Sequence, residues 1–231
     1  HQRNQFDVRV ISDVAGDSFY DIGSGPFTPN PTSGQSYGIL GELGLLDQLA
    51  SEEQDYLKYI ETIPTTATNT EIPHTLIASL EIAAQGALSY LKQTHYKPLY
   101  IPEYLTDKEA RFIGAESMRL LLEQKRSAPN SKVAVVLTGE PLVTITNPNG
   151  SGGRAREAAL GAILESSKSC YENFEFSGTS FATDGDDGPN ALGVAGATFD
   201  NTTHLVASQR QLNPQKSLDN NDSGTFFNEM D

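Results

Sequence analysis

The stretch that decides the fold is residues 75–137, TLIASLEIAAQGALSYLKQTHYKPLYIPEYLTDKEARFIGAESMRLLLEQKRSAPNSKVAVVL. Thr75–Ser79 reads as a short strand, and Glu81–Gln93 is an Ala-rich helical run. Pro98–Pro102 reads as a second short strand. Asp107–Gln124 then spaces Phe112, Met118, Leu121 and Leu122 for the buried face of a helix. Val133–Leu137 is strongly β-branched and reads as a further strand. Alternating strands and helices imply right-handed crossovers and a mainly parallel sheet. The pattern therefore predicts an α/β, Rossmann-like protein with helices flanking its sheets.

Working outward, Phe6–Ile11 reads as a short buried strand, followed by SDVAGD (12–17) and the Gly/Pro-rich loop DIGSGPFTPNPTSG (21–34). Ser33 is placed to cap a helix running through Ile39, Leu40, Leu43, Leu45 and Leu46. Residues 51–62 form a second helical pattern, with Leu57, Ile60 and Ile63 on one face, and a Thr-rich connection (64–73) follows. On the other side, Leu142–Ile145 and Phe174–Ala182 are expected strands. Arg154–Ser166, 203–211 and 222–230 are expected helices, the last capped by Asp222. The polar, Pro-containing run Lys125–Lys132 is the best linker and divides the chain into subdomains 1–127 and 128–231.

Composition narrows the function classes. A chain of 231 residues with 37% hydrophobic content fills a real core, and no apolar run reaches the roughly 18 residues of a membrane span. No basic-then-apolar leader opens it, and the single Cys170 fits a reducing compartment, so a cytoplasmic protein is expected. A net charge of −14 repels phosphate backbones and argues against nucleic acid, but leaves small anionic substrates open. The chain starts at His1 on an almost immediate strand pattern and stops at Asp231 after a helical one, which is the expectation for a segment of a longer polypeptide.

Several loops carry groups suited to chemistry. Asp13 and Asp17 follow a strand's carboxyl end, where open α/β sheets build their sites, and can hold a divalent cation or accept a proton. The plainer reading makes them turn residues. Gly23, Ser24 and Gly25 let backbone N–H groups approach an anion, as a nest or as a simple turn. In NGSGGRAREAAL (149–160), Gly150, Gly152 and Gly153 precede a helix, so free amides and the positive end of its dipole face one spot, with the fork of Arg154 beside them. The alternative is a flexible β–α loop. TDGDDGP (183–189) concentrates Asp184, Asp186 and Asp187 among glycines. It lacks the closing Glu of a calcium hand but suits a magnesium–phosphate site, or an acidic turn. Asn220, Asn221 and Asp222 read as a helix cap. The four histidines and Cys170, the latter expected to be buried, read as structural.

Taken in order, SDVAGD, IGSGPFTPNPTS, HTLIAS, GEPLVTI, GSGGR, TDGDDGP and LDNNDSGTFF resemble the class II glycerate kinases, whose carboxyl-terminal part is the MOFRL domain. The resemblance spans nearly the whole chain. It implies two α/β domains with the site in a cleft between them. The reaction it implies is transfer of the ATP γ-phosphoryl group to D-glycerate, giving 2-phosphoglycerate with Mg²⁺. On this reading, residues 1–127 are a remnant of the family's amino-terminal domain and 128–231 its MOFRL domain. Gly150, Gly152, Gly153 and Glu140 fall on the nucleotide side, and Arg154 neutralises phosphate or carboxylate. Asp184 and Asp187 support the metal, Asp13 is base or orienter, and Ser24, Gly25 and Asp17 shape the glycerate pocket. A homodimer is compatible with the resemblance.

The chain departs from the family pattern at Ala155 and Arg156, where the family has Asn and Gln, and at Leu80, Pro141–Leu142 and Asn190–Gly193. The family's catalytic Lys and Gly-rich phosphate loop, which precede the matched region, have no counterpart in these residues, nor does the family's stretch beyond the last helix. Two other readings stand beside the kinase. One is a hydroxypyruvate reductase, which needs a nicotinamide site for which no GxGxxG is present. The other is a noncatalytic anion-binding module marked by Ala155, Arg156 and Leu80.

Overall fold

The computed structural model describes residues 6–25, 27–28, 35–62, 72–188 and 193–230. Ser33, Ile63, most of the Thr-rich connection, Asn190–Leu192 and Asp231 lie outside them. The chain forms two compact units, 1–79 and 80–231.

In the first unit, β1 (Val8–Ile11) pairs in parallel with β2 (His74–Ala78). Short 3-10 turns over Ala15–Asp17 and Ile22–Ser24 follow β1, then helices α1 (Ser36–Glu42) and α2 (Ser51–Thr62). The expected strand and both expected helices are present, but the strand is not buried: Phe6 and Ile11 are exposed. Gln35, rather than a capping side chain, precedes α1.

The second unit opens with α3 (Leu80–Gln93), β3 (Tyr96–Ile101), α4 (Ala110–Ser127) and β4 (Lys132–Leu137). Strands β3 and β4 pair in parallel along their whole length, as the strand–helix–strand alternation requires. This pairing joins residues on both sides of position 127 within the second unit. Helix α5 (Arg154–Ser166) follows, then an antiparallel pair, β5 (Ser177–Phe181) with β6 (Gly196–Asp200), and helices α6 (Thr203–Gln209), α7 (Pro214–Asp219) and α8 (Ser223–Met230).

Leu142–Ile145 is not a strand: only Leu142 bridges to Glu109, and side chains from elsewhere take up the polar groups at Thr144. Phe112 lies on the outer side of α4, and Cys170 is exposed rather than buried. Strand β6 and helix α7 carry too few periodic apolar positions to be read from sequence.

The core sits around α5, which is buried along most of its length. Leu160 and Ile163 pack with Met118 of α4, Phe199 of β6, Leu218 of α7 and Phe226 of α8. Small residues set the distance between α4 and α5. A Cβ on Gly114 would lie 1.8 Å from the Ala158 carbonyl oxygen, and one on Gly161 would lie 2.0 Å from that of Arg111. The two helices therefore touch backbone to backbone, and Ala110, Ala159 and Ala162 continue the seam.

Gly114→Ala and Gly161→Ala are each expected to cost about 3 kcal/mol or more, because backbone must move. Gly86→Ala on α3, where an added methyl meets nothing within 4 Å, should stabilise by about 0.5–1 kcal/mol. Urea unfolding of the three variants checks both signs.

Candidate functional site: the junction at the start of helix α5

Helix α5 begins with no capping side chain at Gly153, so its first amides need acceptors from elsewhere. Asp187 supplies them. One carboxylate oxygen accepts the N–H of Ala155 at 2.7 Å, and the other accepts the N–H of Arg156 at 2.9 Å. The Arg156 side chain folds back onto the same group, donating from Nε at 3.0 Å, while a terminal nitrogen donates to the Asp187 carbonyl at 3.2 Å. Both residues are buried. A carboxylate in this place satisfies the free amides of the first turn and the guanidinium together.

The LDNNDSGTFF segment closes the junction from the other side. Asn221, in a left-handed conformation at φ 50°, accepts from Thr146 N–H at 2.7 Å and Asn147 N–H at 3.2 Å, and its amide donates to the Thr144 carbonyl at 3.0 Å. Asp222 accepts from Ser151 N–H at 3.1 Å and from the Thr225 hydroxyl, and Gly224 N–H donates to Ser151. Asp222, which precedes α8, is thus a clamp on the glycine loop.

The glycines are set by this crowding. A Cβ on Gly150 would sit 2.4 Å from the Asn220 carbonyl oxygen, one on Gly152 2.6 Å from Ser223 Oγ, and one on Gly153 1.8 Å from the Asp187 carbonyl oxygen. Three segments that the sequence offered separately (150–154, 183–188 and 218–224) thus meet around one helix start. Their contacts are with one another.

Arg154 stands apart from that saturation. It is exposed, and its guanidinium donates to the equally exposed Glu140 at 2.5 Å. Glu140 follows Gly139, whose φ of 128° and tight approach to Thr106 require glycine. Asp184 is exposed, with one oxygen accepting Asp186 N–H. Asp187 has both oxygens committed, so the expected pair of metal-supporting carboxylates is not available as such. Among the described residues no three His, Cys, Asp or Glu side chains converge to hold a metal.

In the first unit, the turn after β1 holds Asp13, which is exposed, and Asp17, which has a φ of 51°. Gly25, at φ 59°, closes its turn on Ile22, and a Cβ there would strike the Thr28 hydroxyl and the Tyr20 carbonyl oxygen. Ser24 ends the preceding 3-10 turn. Ring stacking of Phe19 on His74 at 5.0 Å steadies this loop.

Residues that sequence reasoning passed over complete the second unit's site. Arg156, read as a lost polar position, is the partner of Asp187. Arg111 donates to Glu157 at 3.0 Å and to the Leu218 carbonyl at 3.0 Å, tying α4 to the junction. Burial pushes the Glu157 carboxyl above its ordinary value, against the pull of Arg111 and of a hydrogen bond from Asn221. At the carboxyl ends of β3 and β4, the Tyr100 hydroxyl donates to Glu81 at 2.5 Å and meets the Thr138 hydroxyl at 3.4 Å. No local spacing announces such long-range pairs.

This architecture joins parallel α/β layers to glycine-rich and acidic loops gathered at a helix start. Residues 133–231 match the MOFRL family. The chain as a whole is related to the glycerate kinases. It is 30% identical over 220 residues to the D-glycerate 2-kinase of Thermotoga maritima, a match covering 93% of this chain and 49% of that protein. It is 29% identical to the glycerate 2-kinase of Pyrococcus horikoshii, covering 94% of this chain and 49% of that protein. The crystal structure of a glycerate kinase from Thermotoga maritima superposes with a TM-score of 0.79 at 27% identity, over 98% of this chain and 52% of that one. The chain spans about half the length of the curated relatives it matches. No helix of the described residues is long and apolar enough to cross a membrane.

Asn221→Ala is expected to destabilise by about 2–3 kcal/mol, since it strands the Thr146 and Asn147 amides. Asn221→Gly relieves only the strain of the positive φ, so it should remain well below the parent in urea unfolding. For Glu157, a raised value means that folding takes up a proton between the ordinary carboxylate range and the raised value. Its contribution to stability therefore falls as pH rises through that window. Glu157→Gln should remove this slope from unfolding curves collected between pH 4 and pH 7.

Proposed function

We propose that this chain is the phosphate-handling portion of an ATP-dependent kinase that phosphorylates D-glycerate to 2-phosphoglycerate. The observation that carries the reading is Arg154, an exposed guanidinium at the start of α5 held by the exposed Glu140 carboxylate and, at 3.5 Å, by the Pro141 carbonyl, beside helix amides already taken by Asp187. Exposed ion pairs contribute little to stability, so an incoming phosphate or carboxylate can replace Glu140 and receive two parallel N–H bonds. Phosphoryl transfer asks a protein chiefly for such positioning and charge neutralisation.

In this reading Gly150, Gly152 and Gly153 shape the support beneath Arg154, and Glu140 holds the guanidinium until the nucleotide arrives. Asp13 is base or orienter for the glycerate hydroxyl, with Asp17, Ser24 and Gly25 forming its surroundings. Asp184 is the residue left to approach a Mg²⁺ bound with ATP, which would neutralise the phosphates. Asp187 is not assigned to the metal. Residues 128–231 are the MOFRL domain of this Rossmann-like enzyme, and 1–127 belong to its other domain. A second reading, a noncatalytic anion-binding module, is favoured by one observation: the α5 amides that would grip a phosphate are already bound to Asp187.

Calorimetric titration with MgATP and with D-glycerate, alongside an ADP-release assay, separates these readings. Arg154→Ala is expected to weaken MgATP binding at least tenfold, about 1.4 kcal/mol, with an unchanged urea midpoint. Unchanged affinity removes Arg154 from the site. Binding by the parent without turnover favours the module.

A further inference from the structure

We propose that Asp187 is an internal stand-in for an anionic ligand at the amino terminus of α5, and that with Arg156 it forms a positioning pair that aims Arg154. The second half of this statement rests on the reading of Arg154 given above. The first half stands on geometry alone.

A phosphate at a helix start is normally held by the first free amides and a nearby guanidinium. Asp187 occupies that place: its two oxygens take the Ala155 and Arg156 amides at 2.7 and 2.9 Å, and Arg156 Nε closes on it at 3.0 Å. The arrangement is enclosed, with Arg156 1% and Asp187 3% exposed. It is also imperfect as a purely stabilising device. One terminal nitrogen of Arg156 is buried without a partner among the described residues, and it lies where any side chain on Gly224 would collide with it, 2.7 Å from a built Cβ. Buried ion pairs are often replaceable by apolar residues without loss of stability. What this pair does supply is orientation.

Residues 154 and 156 lie on one helical turn about 200° apart. Fixing Arg156 into the interior through two fork contacts fixes the rotation of the first turn, and so turns Arg154 outward to the surface where it meets Glu140. The same carboxylate welds the 183–188 loop against Gly153. Anion recognition thereby passes from the helix amides, which are filled, to the side chain of Arg154, which is free to exchange partners.

The test uses the full 231-residue chain and three variants: Asp187→Ser, which empties the seat; Asp187→Asn, which keeps its shape without charge; and Arg156→Met, which keeps its bulk without the fork. Thermal unfolding with and without inorganic phosphate reads the first claim. Asp187→Ser should unfold at lower temperature than the parent and regain stability as phosphate is added, while the parent responds far less. A folded Asp187→Ser chain that phosphate does not stabilise more than the parent overturns the claim, whereas Asp187→Asn, whose amide still fills the seat, should respond to phosphate no more than the parent does. If Asp187→Ser does not fold, amide exchange decides it in Arg156→Met. The Ala155 amide should stay protected there, because Asp187 still covers it, and parent-unlike exposure of that amide contradicts the assignment.

Phosphate and MgATP titration reads the second claim. Arg156→Met leaves the buried Asp187 carboxylate without its guanidinium and should lower the midpoint, so binding is read well below that midpoint, where the chain is folded. There it should be at least tenfold weaker, a loss that destabilisation alone does not produce in a folded chain. Parent-like affinity in folded Arg156→Met overturns it. If the parent binds neither probe, the functional reading of Arg154 fails, and with it the aiming role. The stand-in claim is then still decided by the response of the Asp187 variants.

Discussion

The structure of the second unit depends on one requirement: the first turn of α5 exposes amides that no local side chain caps, and those amides must meet an acceptor. Asp187 meets it from a loop about 30 residues downstream. Because α5 is also the centre of the core, its start cannot shift without disturbing α4, β6, α7 and α8. The helix is thus held along its length by apolar packing and at its origin by one carboxylate. Everything proposed about the surface beside it follows from that fixation.

The close seam between α4 and α5 is the second constraint. Backbone contact at Gly114 and Gly161 brings Arg111 near enough to reach Glu157 and the end of α7. Small residues in the seam and long polar residues at its edge are one design: the first allows the approach, and the second satisfies the polar groups it traps. It also explains why the unit extends back to residue 80 while the MOFRL match begins at 133. The family match and the packing divide the chain at different places because β3 and α4 complete the layers that β4 and α5 begin.

The alternation of apolar runs through 75–137 made the parallel α/β layering readable, since period and order survive without tertiary knowledge. The glycine loop, the acidic loop and the LDNNDSGTFF segment were each visible as unusual chemistry. What their local spacing did not reveal is that they serve one another. Gly153 looked like room for a phosphate and is room for Asp187. Asp187 looked like a metal ligand and is a helix cap. Arg156 looked like a lost polar residue and is the partner of that cap. Each of these pairings joins residues more than 25 positions apart, where local pattern carries no information. Leu142–Ile145 failed as a strand for a related reason: apolar content suits a strand, but only Leu142 bridges a neighbouring backbone.

The account's central claim is that the α5 amides are satisfied internally while the Arg154 side chain is the group that meets an anion. The most direct measurement is a ¹⁵N-resolved NMR titration of the chain with MgATP, following Arg154 Nε together with the backbone amides of Ala155 and Arg156. The account predicts a large, saturable shift at Arg154 Nε with the two amides nearly still. Large amide shifts at Ala155 and Arg156 with Arg154 Nε unmoved would contradict it.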